Sequence, residues 1–368
     1  MLNKKVFSCV SLVVFFLTQV NSLNGVLASG EVSSISVVGR NERSNRDKII
    51  TASRIGAGAA LVACSVLALS QLARLAVSSA MFPGAKGANA PKVCFPQGAS
   101  PLYVNIDSED GGKILGCILK NPILNSSEDT TKKPFYGHTI VCFLGQNDSS
   151  LNIYGHKELI EFLFNSGASE IFTTDIRGYG QSTFEGCKPG AFQASKINEG
   201  TIKSDIQNMV DFLSYNSVPP LWVFGHSLGG YHASVFAKEW LKKTGKKCAL
   251  ILFSPLTSLK VSVRKFSENL IGGAAGSVAE FVLSPFLPNG EFDTVKNCKE
   301  AEPYPLIVVS GDKVSDWLST EGTEMETYAR DHGEFICVQG CHHSGIKEML
   351  NAIQPSLISK PMDQPNRM

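Results

Sequence analysis

The sequence predicts an α/β protein: a mostly parallel central sheet with helices on both faces, preceded by an apolar N-terminal appendage. Three observations carry this. From about residue 91 onward, short runs rich in Val, Ile, Leu and Phe alternate with stretches of helical periodicity, and parallel strands need such crossovers. A Gly-x-Ser-x-Gly turn falls between one of these strands and the helix after it. The first ninety residues, by contrast, hold two long apolar runs, and a Pro/Gly-rich stretch at 81–98 reads as the linker into the globular part.

The bulk composition narrows the classes further. A chain of 368 residues that is 43% hydrophobic and 18% charged is too apolar to be disordered as a whole. With 34 Lys+Arg against 33 Asp+Glu there is no net field to gather nucleic acid, and no nucleic-acid partner is expected. Ten cysteines in that length are too few for a disulfide scaffold. Collagen, coiled coil, knottin and multi-pass transporter are all excluded.

The elements follow in order. Residues 1–22 open with Lys4 and Lys5, run apolar from Val6 to Val20 and close on Val20-Asn21-Ser22, which is the layout of a secretory signal or N-terminal anchor. Residues 23–90 form a linker containing a second apolar run, 55–73, fenced by Arg54 and Arg74. Its length is close to the roughly twenty residues that cross a bilayer, and its small residues suit helix–helix approach. The globular domain is 91–368. Segments 102–106 and 113–119 flank the turn-rich 107–112 and predict an antiparallel hairpin. Strands are expected at 139–144, 170–174, 221–224, 249–253, 306–309 and 335–338. Helices are expected at 156–164, 201–215, 229–243, 320–329 and 345–353. In the second helix Ile202, Ile206, Met209, Val210 and Leu213 share one face.

The chemistry concentrates in Gly225-His226-Ser227-Leu228-Gly229, between the strand 221–224 and a helix. A serine perched on so sharp a turn needs glycines two before and two after it, because side chains there would strike the neighbouring strand or helix. Together with Asp175-Ile176-Arg177-Gly178-Tyr179-Gly180-Gln181-Ser182, this elbow resembles the α/β-hydrolase superfamily, in particular its monoacylglycerol-lipase, esterase and thioesterase-like members. The resemblance spans roughly residues 100–355. It implies a small helical cap after the sixth strand, a Ser-Asp-His triad and a chain order of nucleophile, acid, base.

Ser227 is then the nucleophile. The acid is expected after the strand 306–309, where Asp312 matches the family's turn better than Asp316, although the turn is shorter than usual. The base is expected in Gln339-Gly340-Cys341-His342-His343-Ser344-Gly345; His343 has the family's spacing, with His342 the alternative. The oxyanion donors would be the N–H of Leu228 and the N–H of Gln146, the latter in a turn where Leu144 replaces the family's usual His. His226 is expected to buttress the nucleophile. His138, His156, His232 and His332 read as surface or packing residues. The apolar stretch 261–286 reads as the cap, with an ordinary packing helix as the alternative.

Cys142, Cys248 and Cys337 read as buried strand residues. Cys94, Cys187 and Cys298 are candidates for pairing if the domain is exported. No cysteine spacing suggests a metal site, and no cofactor is expected. The expectation is a serine hydrolase, membrane-associated or exported, that cleaves a carboxylic ester or thioester of a small-molecule or lipid-like acyl substrate through an acyl-enzyme. The same triad would serve a peptidase or amidase, and a non-enzymatic binding module would need none of it.

Overall fold

The computed structural model describes residues 71, 101–122, 133–145, 157–188, 196–215, 221–262, 265, 291–312, 320–343 and 345–359. The chain divides into two units, Met1–Ala80 and Met81–Met368, and all the described residues except Gln71 lie in the second. The signal-like 1–22 and, apart from Gln71, the apolar run 55–73 fall outside the described residues. Among those described, no helix is long and apolar enough to cross a membrane.

Eight strands form one sheet: β1 (Pro101–Asp107), β2 (Lys113–Lys120), β3 (Thr139–Phe143), β4 (Glu170–Thr174), β5 (Leu221–His226), β6 (Ala249–Phe253), β7 (Leu306–Gly311) and β8 (Glu334–Val338). Their order is β1-β2-β4-β3-β5-β6-β7-β8. β1 and β2 make the expected hairpin, β2 runs antiparallel to β4, and every other pairing is parallel. The helices are α1 (Lys157–Asn165), α2 (Glu199–Tyr215), α3 (Leu228–Thr244), α4 (Thr294–Ala301), α5 (Glu324–His332) and α6 (Ile346–Ser359).

Successive strand residues point to opposite faces, and the core divides accordingly. Val141 and Phe143 of β3, Leu221 and Val223 of β5, and Leu306 and Val308 of β7 pack with side chains of α2, α3, α4 and α5. Their neighbours Ile140, Cys142, Trp222, Phe224, Ile307 and Val309 pack on the other face with side chains of α1 and α6. Both faces are covered, which is why the central strands read as unbroken apolar runs.

The loop after β4 is structural. Arg177, almost wholly buried, donates from its Nε to Asp205 Oδ1 of α2 at 2.5 Å, and its backbone N–H donates to Asp205 Oδ2 at 2.8 Å. It also pairs with Asp110 of the β1–β2 hairpin. Burial pushes the Asp205 carboxyl up to about 6 against the pull of the guanidinium, whereas Arg177 holds the Asp110 carboxyl down to about 2. Ser182 closes the loop: its hydroxyl donates to the Asp175 carbonyl at 2.7 Å and accepts from the Leu115 N–H at 2.8 Å. Gly178 sits at φ +93°, where a side chain would be strained and would also press on Ile197.

Two expectations are corrected here. Cys337 is only half-buried in β8, and Cys248 precedes β6 instead of lying in it. Cys187 and Cys298 are both free thiols, and Cys298 is buried in the core, so neither pairs with the other. Cys94 and the cap residues 266–286 lie outside the described residues.

Candidate active site

Parallel strands deliver their C-terminal ends to one edge of the sheet, where sites in open α/β folds form. Here the exits of β3, β5, β6, β7 and β8 bring Gly145, Ser227, Ser254, Asp312 and His343 to that edge.

Ser227 is the hinge between β5 and α3, at φ 56° and ψ −123°. A non-glycine residue in that region is strained by about 1–3 kcal/mol, and its surroundings hold it there. Its N–H donates to the Phe253 carbonyl at 3.0 Å, and its own carbonyl accepts from the N–H groups of Gly230 at 2.9 Å and Leu256 at 3.0 Å. The flanking glycines are sterically required. A Cβ on Gly225 would lie 2.6 Å from the Gly229 carbonyl oxygen and 2.7 Å from Ala233 Cβ. One on Gly229 would lie 2.2 Å from the Phe143 carbonyl oxygen and 2.4 Å from that of Leu144. Gly230 makes room for Pro255, in the turn after β6: a Cβ on Gly230 would lie 2.6 Å from Pro255 Cβ. Leu228 is the first residue of α3, so its N–H has no partner within the helix. Gly145 abuts the elbow: a Cβ there would be 3.4 Å from Ser227 Cβ. Gln146 lies outside the described residues.

The turns after β7 and β8 pack together. The Asp312 N–H donates to the Val338 carbonyl at 3.2 Å, and a Cβ on Gly311 would lie 2.2 Å from the Cys341 carbonyl oxygen. Gly311 thus sets the spacing between the two turns, a role its place in Ser310-Gly311-Asp312 does not announce. The Asp312 side chain is exposed. His343 is half-buried beside the elbow, its ring centroid 5.0 Å from that of His226 and tilted by 36°. The His343 carbonyl lies 2.9 Å from His226 Nε2. Burial, helped by the neighbouring His226 ring, lowers His343 to about 3, so the imidazole is neutral at pH 7 and its basicity is suppressed. Its Nδ1 is buried without a hydrogen-bond partner among the described residues. Asp312 therefore does not bond it in this arrangement, and Asp316 lies outside the described residues. His342, the alternative base, is exposed.

The other histidines take packing positions, where described. His138 accepts from Trp222 Nε1 at 3.1 Å, and His332 is exposed on α5 against Tyr328; His156 lies outside the described residues. His232 of α3 is buried against Phe143 and Tyr231, with no hydrogen-bond partner for Nε2 among the described residues, and burial lowers it to about 3. Its folded-state affinity for a proton is thus below that of the unfolded chain. Its contribution to stability is complete above about pH 6.5 and falls by about 1.4 kcal/mol per unit as the pH drops from there toward 3. Urea midpoints measured from pH 7 to pH 5 should fall, and His232→Phe should make that slope shallower, with His343, lowered in the same sense, supplying the remainder. An unchanged slope would remove His232 as the cause.

Strand topology, the serine elbow and the positions of its glycines define an α/β hydrolase. The sequence from 138 to 357 matches the model of the family described as serine aminopeptidase, S33, and the chain belongs to that family. Among solved structures it is similar to an esterase of Pyrococcus furiosus, with 16% identity and a TM-score of 0.50 over 75% of this chain and 99% of that one. An α/β hydrolase of Vibrio vulnificus gives 17% identity and a TM-score of 0.47 over 70% and 80%. Carboxyl esterase 2 of Tuber melanosporum gives 13% and 0.47 over 74% and 92%. No curated protein matches the sequence.

Proposed function

We propose that the protein is a serine hydrolase that cleaves a carboxylic ester or thioester of an apolar acyl group through an acyl-enzyme. The observation that carries this reading is the strained Ser227 hinge, held at φ 56°, with the half-buried His343 ring 5.0 Å from that of Ser227's chain neighbour His226. A serine hydroxyl attacks a carbonyl efficiently only when an adjacent base takes its proton. In this reading Ser227 Oγ bonds to the acyl carbon as its proton passes to His343. The tetrahedral oxyanion is met by the N–H groups of Leu228 and Gln146. His343 then returns the proton to the departing alcohol or thiol, leaving the acyl group on Ser227. Water, deprotonated by the same imidazole, releases the acid and restores the serine.

Asp312 is the proposed acid. A carboxylate engaging Nδ1 would fix the tautomer and stabilise the imidazolium, raising the basicity that burial suppresses. Asp312 stands at the right strand exit, and Asp316 is its competitor. Asp312→Asn and Asp316→Asn, assayed side by side, should show the larger kcat loss at Asp312; the reverse ranking moves the role to Asp316.

A peptidase or amidase is the second reading, favoured by the serine aminopeptidase description of the family model. The esterase name of the Pyrococcus furiosus neighbour favours the first. Fluorophosphonate labelling of the full chain tests the common part, since a folded protein that does not react is no serine hydrolase. Initial rates on p-nitrophenyl esters, acyl thioesters and aminoacyl p-nitroanilides then separate the two, with esters or thioesters expected to lead. Faster turnover of the anilides would reverse the order. The apolar runs at 1–22 and 55–73 further suggest export or a membrane tether; fractionation of cells expressing the full chain and a variant lacking residues 1–80 tests this, with a soluble, unprocessed full chain counting against it.

A further inference from the structure

His226 makes a contact that its place in the elbow does not announce. It is the last residue of β5 and only 7% exposed, and its Nε2 meets the backbone carbonyl of His343 at 2.9 Å. A carbonyl oxygen can only accept, so Nε2 carries the proton. This bond joins residues 117 positions apart. Within the turn that carries His343, the Cys341 N–H donates to the Val338 carbonyl at 3.3 Å and the Gly345 N–H to the His342 carbonyl at 2.9 Å. Those bonds fix the shape of the turn and say nothing about where it sits relative to the serine. Gly311 against Cys341 sets its distance from the β7 exit. The bond from His226 references the turn to the strand on which Ser227 stands.

We propose that His226 is the positioning residue for the base: its Nε2–H holds the His343 backbone against the elbow, so that serine and imidazole keep one relative geometry through the cycle. The inference rests on reading Ser227 as nucleophile and His343 as base. It separates His226 from a mere filler of the elbow, because it requires a proton donor at one particular reach.

The test replaces the imidazole with groups that keep or lose that donor. His226→Gln places an amide N–H at a similar reach; His226→Met fills space without a donor, and His226→Asn has a donor too short to arrive. The readouts are the second-order rate of fluorophosphonate labelling, kcat and KM on a p-nitrophenyl ester, and the melting temperature. Since about 1 Å of misplacement can cost on the order of 100-fold, Met and Asn should lower the labelling rate and kcat by about 10- to 100-fold. KM should change little, because substrate contacts are not altered. Gln should recover most of the loss whatever the order of melting temperatures. If the wild type does not label, the serine-hydrolase reading has failed and the question about His226 lapses with it. If the wild type labels and Met or Asn, whichever folds, reacts at the wild-type rate, or Gln is no faster than they are, the positioning role is overturned.

Discussion

Ser227→Ala is expected to lower kcat by about 10⁶-fold, the loss seen when the nucleophile of a serine triad is removed, and to abolish fluorophosphonate labelling while the protein stays folded. The second half of that expectation comes from the backbone. The bonds that hold the hinge run from the Ser227 N–H to Phe253 and from Gly230 and Leu256 to the Ser227 carbonyl, and alanine keeps all three. Ser227→Gly goes further. At φ 56° a residue without Cβ is relieved of strain, so this variant should be as inactive as alanine and more stable, by about 1 kcal/mol. A hinge that is strained in order to present a hydroxyl should trade stability for activity in just this way. The measurements are steady-state rates and paired thermal melts. Residual turnover by Ser227→Ala above that of contaminating hydrolases would remove Ser227 as nucleophile, and a glycine variant less stable than alanine would show that the hinge is not strained.

The strands were legible because burial on both faces leaves an unmistakable mark: Thr139–Phe143 and Ala249–Phe253 are apolar or β-branched throughout. The helix Thr294–Ala301 escaped. It is short and mostly polar, and its inward residues are Thr294, Val295, Asn297, Cys298 and Ala301, of which only one is a large aliphatic. The signal lay in front of it, in Asp293, whose carboxylate caps the Lys296 N–H at 2.9 Å. The order β2-β4-β3-β5 was not legible, since the apolar runs that identify strands carry no record of which neighbour each chooses.

The site divides along a similar line. Ser227, Gly225 and Gly229 lie within five residues of one another, and a local steric requirement ties them together, so the sequence displays it whole. His343 could be placed by its turn, but the bond from His226 to its carbonyl could not, because nothing local links two residues so far apart. Gly311 sat in plain view and looked like an ordinary turn glycine; only the Cys341 carbonyl opposite it shows what it is for.

Gly229→Ala should be the most damaging single methyl in the molecule's catalytic half. Its Cβ would fall 2.2 Å and 2.4 Å from two successive carbonyl oxygens, those of Phe143 and Leu144. Both are backbone atoms, so no rotamer change relieves the clash, and either α3 or the exit of β3 must move. α3 is pinned at its start by the three hinge bonds of Ser227 and is buried along much of its length. The β3 exit is thus the part that yields, and it leads through Gly145 to Gln146, the proposed second oxyanion donor. Overpacking of this kind costs about 3 kcal/mol, or a melting temperature lower by about 6–12 °C in a domain of this size. Activity should fall more than stability explains, because losing one oxyanion donor typically costs about 10²–10³ in kcat. Comparing kcat per folded molecule, at a temperature well below the melt, separates the two effects. A variant that melts like the wild type would show that the elbow has room the structure does not grant it. One that melts lower but turns over normally per folded molecule would break the link between Gly229 and the oxyanion turn.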